Sequence, residues 1–342
     1  SGIAAQLIHT YSSLFRWLSI WIALAANSLP LPALVDSNLT YSECCDKRAE
    51  ELYKLSETTG KPLGIMWSGG IDSTLIMVSF LRKYSLADLK QRIKVIISAE
   101  SRTENPEFYK NYILPNFEFV NSEHTPWLFD GSMIIVTGEF NDQLFGSDLM
   151  KVYIANNGGE SLSSTYKRDT IFAYINGKIN NEKVSNTLIN AVEAAAVKYG
   201  IVMEKISDFF WWYNFCFKWQ NVYFRILGVL DKNKRAMITQ DFINDHFLHF
   251  YSSTSFQLWS MTNTDKKILE NWESYKIESK KVIFDFNQDK DYFDNKVKIG
   301  SLYKLFIQRD TAEAIDSDFN IIDDGKLLPV DFYNPNNSFT NL

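Results

Sequence analysis

At 342 residues the chain has room for two domains, or for one large domain with additions. It is 46% hydrophobic and 22% charged, an ordinary globular balance that excludes a disordered chain and supplies enough apolar side chains for a core. A net charge of −6 argues against a general nucleic-acid surface. The cysteines Cys44, Cys45 and Cys216 form no CxxC pair and no metal-ligand spacing, which fits a reducing, cytoplasmic compartment.

In chain order, the first feature is an apolar run from Trp17 to Ala26, preceded by Arg16 and followed by Asn27, Pro30 and Pro32. The run is too short for a bilayer span, which takes about 20 residues, and its apolar core is conceivable as a secretory signal but lacks the basic start of one. The run reads as a buried or interface helix over 4–26, a route to a homo-oligomer, with a proline-containing linker to Asp36. Tyr41 to Ser56 is an amphipathic helix, and the Thr58–Pro62 turn feeds a short apolar strand, Leu63 to Trp67. Ser68-Gly69-Gly70 breaks that strand, and a helix resumes near Ser73 with Leu75, Ile76, Val78 and Phe80 on its apolar positions. Tyr84 to Leu89 reads as a connection, Arg92 to Ser98 as a second strand, Asn105 to Asn116 as a helix opened by a proline, and Phe117 to Val120 as a third strand. Met133 to Val136 is a further strand that meets a glycine turn, and a helix opens near Asn141.

This alternation predicts an α/β fold with a doubly wound parallel sheet. Beyond Asn156 the strand signals fade. Val184 to Tyr199 is helical and stops at Gly200, and Ser207 to Leu230 is an aromatic helix or pair of helices containing Trp211, Trp212, Phe215, Phe217, Trp219 and Phe224. Such a stripe is a core signal rather than a cofactor box. His246 and His249 fall at i and i+3 of an expected helix, near Asp241 and Asp245, with no third metal ligand in register, so they read as packing histidines. The organisation expected is an apolar helix and linker over 1–40, a nucleotide-binding α/β domain over 41–155, and a mainly helical region over 156–342 that ends in an acidic tail.

The chemistry concentrates at the first glycine turn. Gly69 and Gly70 let backbone N–H groups approach a ligand closely, and the helix that follows presents its unpaired N–H groups and positive dipole end to the same spot. Ser68, Ser73 and Thr74 add hydroxyl donors, and Asp72 adds a carboxylate suited to a divalent cation beside a phosphate. No Gly-Lys-Ser/Thr closes the turn, so it is not a Walker loop. The second turn, Gly138-Glu139-Phe140-Asn141-Asp142, carries two carboxylates.

Ser68-Gly-Gly-Ile-Asp72-Ser73 resembles the SGGxDS signature of the PP-loop ATP pyrophosphatases. Gly138-Glu139-Phe-Asn-Asp142-Gln-Leu-Phe-Gly146 resembles the GExxDxLFGG stretch of the asparagine synthetase-type amidotransferases, a group that includes the β-lactam synthetases and lasso-peptide cyclases. Asn141-Asp142-Gln143 departs from the Ser-Asp-Glu of that stretch, and Ser147 replaces its second glycine. The resemblance implies adenylation of a substrate carboxylate with release of pyrophosphate, then amide formation with ammonia or an amine. It implies ATP on Ser68, Gly69, Gly70, Asp72, Ser73, Thr74 and Gly138, with adenine against Ile97 and Ser98. It further implies Mg²⁺ on Asp72 and Asp142, Glu139 as the proton acceptor, and a pyrophosphate-contacting lysine in the segment Tyr275–Ile283, for which Lys280 or Lys281 is the expectation.

Glutamine-using relatives carry an N-terminal amidohydrolase domain. The residues before Ser68 are too few for one, so the nitrogen is expected from free ammonia, a partner subunit or an amine on the substrate. Two other readings stay open. One is a non-catalytic nucleotide-binding or assembly subunit. The other is a PP-loop enzyme that modifies nucleobases or tRNA, which the acidic charge and the absence of paired cysteines disfavour.

Overall fold

The computed structural model describes residues 31–35, 37–97, 99–121, 131–146, 148–218, 239–267 and 274–296. The helix expected over 4–26, Ser98, the aromatic positions Trp219 and Phe224, and the acidic tail lie outside these residues.

Helix α1 (Tyr41–Thr59) opens with a capping box: Thr40 Oγ1 accepts from the Glu43 N–H, and Glu43 accepts from the Thr40 N–H. It ends at Gly60 in the left-handed region. Strand β1 (Leu63–Met66) leads through the Ser68–Gly70 turn into helix α2 (Ile71–Lys83). Residues 84–89, expected as a connection, contain the start of a further helix, α3 (Leu86–Arg92), because Ser85 caps it by accepting from the Asp88 N–H. Strand β2 (Ile93–Ile97) and helix α4 (Ala99–Glu104) follow. The helix expected over 105–116 is broken: one turn at Pro106–Phe108, capped by Asn105, widens into a π turn over Tyr109–Ile113. Strand β3 (Glu118–Asn121) and strand β4 (Ile134–Thr137) precede helix α5 (Asn141–Phe145).

Helices α6 (Asp148–Asn157), α7 (Arg168–Ile179), α8 (Glu182–Tyr199) and α9 (Ile206–Tyr213) follow, and the last of these runs on as a π turn to Lys218. After helix α10 (Gln240–His246) the chain becomes strand β5 (Phe247–His249), then helices α11 (Thr254–Thr262), α12 (Ile277–Asn287) and α13 (Lys290–Asn295). The shared helical face expected for His246 and His249 is therefore replaced by a helix end and a strand. The two histidines have separate partners: His246 Nε2 lies 2.7 Å from Lys61 Nζ, and His249 Nδ1 lies 2.6 Å from Thr137 Oγ1.

The five strands form one parallel sheet in the order β3-β2-β1-β4-β5, with Leu63 opposite both Ile93 and Ile134, and Ile135 opposite Phe247. The α/β architecture expected from the alternating pattern is present. β4 is buried along its whole length, which explains the apolar run Met133–Val136 that leads into Thr137. α2 packs against both α1 and α12, so residues 73–80 are buried on every face rather than along one stripe.

Contacts divide the chain into two interleaved units, whereas the sequence pattern anticipates consecutive blocks at 41–155 and 156–342. The sheet unit comprises Leu39–Glu139, Ile238–Ser253 and the chain from Tyr275; the helical unit comprises Phe140–Met237 and Thr254–Ser274, together with the residues up to Asn38. Within the helical unit the described part of the aromatic stripe, up to Phe215, is core, as expected. Trp211, Trp212 and Phe215 are buried, Trp211 Nε1 donates to Ser260 Oγ, and Trp212 Nε1 donates to the Val192 carbonyl.

Candidate functional site

The strand order reverses between β1 and β4. In open parallel sheets, ligands sit beyond the carboxyl ends of the strands at such a switch point. The turn after β1 carries Ser68–Ser73, and the turn after β4 carries Gly138 and Glu139.

Gly69 is required in the first turn for two reasons. Its φ is +77°, and a Cβ there would lie 2.5 Å from the Ser101 carbonyl oxygen and 2.7 Å from Glu104 Cβ. Gly70 is the N-cap of the 13-residue helix α2, and no side chain caps it. Helix α2 therefore begins without a capping side chain at its N-terminus. The turn is held by its own hydroxyls. Ser73 Oγ accepts from the Ser68 N–H at 3.1 Å and lies 3.0 Å from Ser68 Oγ, while Thr74 Oγ1 donates to the Gly69 carbonyl and accepts from Trp67 Nε1.

Gly138 is brought against this turn. A Cβ on it would lie 3.2 Å from Asp72 Cβ and 3.3 Å from the Ser73 nitrogen, so the β4 turn passes close over the N-terminus of α2. Glu139 is half-buried, and its N–H donates to Thr137 Oγ1, the hydroxyl that also meets His249. His249 is held in turn by Arg48, which donates to the carbonyls of His249 and Phe250.

Asp72 has a partner that the motif does not reveal. Lys276 Nζ lies 2.6 Å from both carboxylate oxygens of Asp72, and Lys276 is only 1% exposed. The lysine sits at φ +61°, a left-handed conformation that side chains other than glycine rarely adopt, at the N-cap of α12. Tyr251 donates its hydroxyl to the Asp72 carbonyl at 2.7 Å; burial first, then Tyr41 and Asp72 nearby, pushes that hydroxyl well above the usual tyrosine range and keeps it a donor.

Lys280 and Lys281, expected as the phosphate lysines, point elsewhere. Lys280 Nζ donates to the Lys296 carbonyl, and burial lowers its pKa; Lys281 pairs at the surface with Glu278. The lysine of this segment that reaches the turn is Lys276, one helical turn earlier. A second pair lies behind Gly69: Lys296 Nζ meets both the Glu104 carboxylate and the Glu104 carbonyl. Burial lowers the Lys296 pKa, and Glu104 acts against that shift. The sequence carries no spacing that marks Lys276, Lys296 or Tyr251, since each reaches the turn across more than 150 residues of chain.

Ile97 ends β2, next to β1, and is buried. Asp142, in helix α5, belongs to the helical unit; its carbonyl accepts from Asn214 Nδ2 within that unit. Phe140, which precedes α5, is buried at φ +80°, a strained conformation for an aromatic residue. Among the described residues, no group of three or more His, Cys, Asp or Glu side chains could hold a metal by itself. Magnesium is commonly held by one or two carboxylates together with substrate phosphates, and Asp72 already takes a cation on both oxygens, which is the donor chemistry such an ion needs.

An α/β protein with an uncapped glycine turn at the switch point of a parallel sheet is the class that this fold and turn define. Compared with known protein families, curated proteins and solved structures, the chain gives no match. Among the described residues, no helix is long and apolar enough to cross a membrane.

Proposed function

We propose that the chain is a PP-loop enzyme of the asparagine synthetase type, which adenylates a substrate carboxylate with ATP, releases pyrophosphate, and joins the acyl group to ammonia or an amine. The observation that carries this reading is the glycine-capped N-terminus of α2 at the sheet's switch point, with Lys276 and Asp72 beside it. The two sequence motifs add to it.

In this reading the α2 amides and the hydroxyls of Ser68, Ser73 and Thr74 bind the phosphates, and Gly69, Gly70 and Gly138 let the backbone come close enough to do so. Magnesium at Asp72 would spread charge on the leaving pyrophosphate. Lys276 replaces Lys280 and Lys281 as the amine placed to meet that charge. A carboxylate oxygen of the substrate forms a bond to the α-phosphorus as the bond to pyrophosphate breaks. The amine nitrogen then attacks the acyl carbon, AMP leaves, and Glu139 takes the amine proton. Ile97 and Ser98 keep the adenine role that the resemblance implies, and Asp142 enters as a second metal ligand on the resemblance alone.

The test is nucleotide product analysis with Mg²⁺, ATP and a pool of carboxylates and amines. AMP with pyrophosphate is the expected product pair, and Asp72→Asn abolishes it, with circular dichroism checking that the variant keeps its fold. ADP as the product would remove the adenylation reading. Tight ATP binding with no turnover would favour a nucleotide-binding subunit.

A further inference from the structure

We infer that Lys276 is a specificity-determining counter-ion, which makes the Asp72 site take up a divalent cation and a diphosphate together and disfavours either one alone. The inference rests on the nucleotide reading above and goes beyond it to the order in which ligands can be accepted.

The ammonium of Lys276 contacts both oxygens of Asp72 at 2.6 Å, so the position a metal would take on that carboxylate is filled by a positive charge from the chain itself. The lysine has little room to withdraw. It is buried, its backbone is held in the left-handed region, and Ser279, Lys280, Val282 and Ile283 of the helix it caps are buried with it. Asp72 is equally constrained, because it lies in the first turn of α2 and Tyr251 holds its carbonyl.

A metal ion arriving alone must displace the ammonium and leave two cations in one confined site. A diphosphate arriving alone must draw the lysine away and leave the Asp72 carboxylate facing an anion. Separating a pair whose ammonium is buried, while its carboxylate is a quarter exposed, is unfavourable when either charge stays uncompensated. When both ligands arrive, the charges re-pair, carboxylate with metal and ammonium with phosphate. Each ligand then raises the affinity for the other by the same factor.

The probes are Mn²⁺, followed by electron paramagnetic resonance, and inorganic pyrophosphate, followed by calorimetry, on the full chain with allowance for their soluble complex. In the natural protein each probe should tighten the other at least tenfold. Lys276→Met should bind Mn²⁺ alone at least tenfold more tightly than the natural protein and lose the coupling. Asp72→Asn should bind pyrophosphate alone more tightly and lose Mn²⁺. It provides an independent arm should Lys276→Met fold poorly, which circular dichroism would reveal. Lys290→Met removes a surface lysine paired with Asp294 and controls for net charge. If the two probes bind without influencing each other, or if both variants keep the natural affinities, the counter-ion inference is overturned and the nucleotide reading stands. If the natural protein binds neither probe, singly or together, both fall.

Discussion

Gly69 and Gly60 share a left-handed backbone and differ in their surroundings. At Gly60, φ is +68° and a Cβ would meet nothing within 4 Å, whereas at Gly69, φ is +77° and a Cβ would strike the Ser101 carbonyl at 2.5 Å. Gly60→Ala should therefore cost only backbone strain, roughly 1 kcal/mol. Gly69→Ala should cost distinctly more, because backbone atoms of α4 cannot yield as a flexible side chain would. Urea denaturation of the two variants checks the difference, and equal losses would mean that the turn does not press on α4 as described. The same scale separates what the motif reveals from what it hides. Ser68, Gly69, Gly70, Ser73 and Thr74 were legible because a turn and a helix start are local. Lys276 was not, because a left-handed lysine at a helix start has no sequence signature, and Lys280 and Lys281 occupy the same stretch with equal apparent claim.

At the scale of elements, the capping box on α1 is the clearest local device. Thr40→Ala removes the acceptor for the Glu43 N–H and should cost about 1 kcal/mol, seen as a lower denaturation midpoint with an unchanged slope. No change would show that α1 is held entirely by its packing on α2. Strands β1, β2 and β4 were legible as short apolar runs because both of their faces are covered. β5 was not, since Phe247–His249 is three residues long and continues from a helix. What makes it a strand is the hydrogen-bonding edge of β4 that faces away from β1, where Thr137 pairs opposite His249. The π turn at Tyr109–Ile113 escaped for a related reason. Phe108, Tyr109 and Tyr112 turn their rings toward Trp67, Phe119 and Phe286, and these tertiary contacts override a simple helical continuation.

At the scale of the whole molecule, one buried amine lies outside the sheet unit among the described residues. Lys267 is 3% exposed, its Nζ donates to the carbonyls of Ser260 and Asn263 and to Ser260 Oγ, and it faces the rings of Trp211 and Trp259 at 4.4 and 5.5 Å. Burial pushes its pKa down to about 7, against the opposing influence of Asp208 and Asp265. The unfolded chain keeps this proton up to the ordinary lysine range near 10.4, so between about pH 7 and that range the unfolded state binds more protons than the folded one. The lysine's contribution is therefore least favourable below about pH 7 and improves as pH rises through the window. As pH rises from 7 toward 10, the stability of the natural protein relative to Lys267→Met should improve by on the order of a few kcal/mol. Denaturation curves of both proteins across that range measure it, and a difference independent of pH would place the amine's titration outside the window.

The sequence by itself determined the alternation of strands and helices, the parallel sheet and the first glycine turn, because hydrophobic period, caps and turn residues act over a few neighbours. Only the tertiary structure decided the strand order, the return of the chain after Tyr275 to the sheet unit, and the pairing of Lys276 with Asp72. These depend on which distant segments bury one another's apolar faces. A charge becomes committed to a partner only after that burial has removed water from around both.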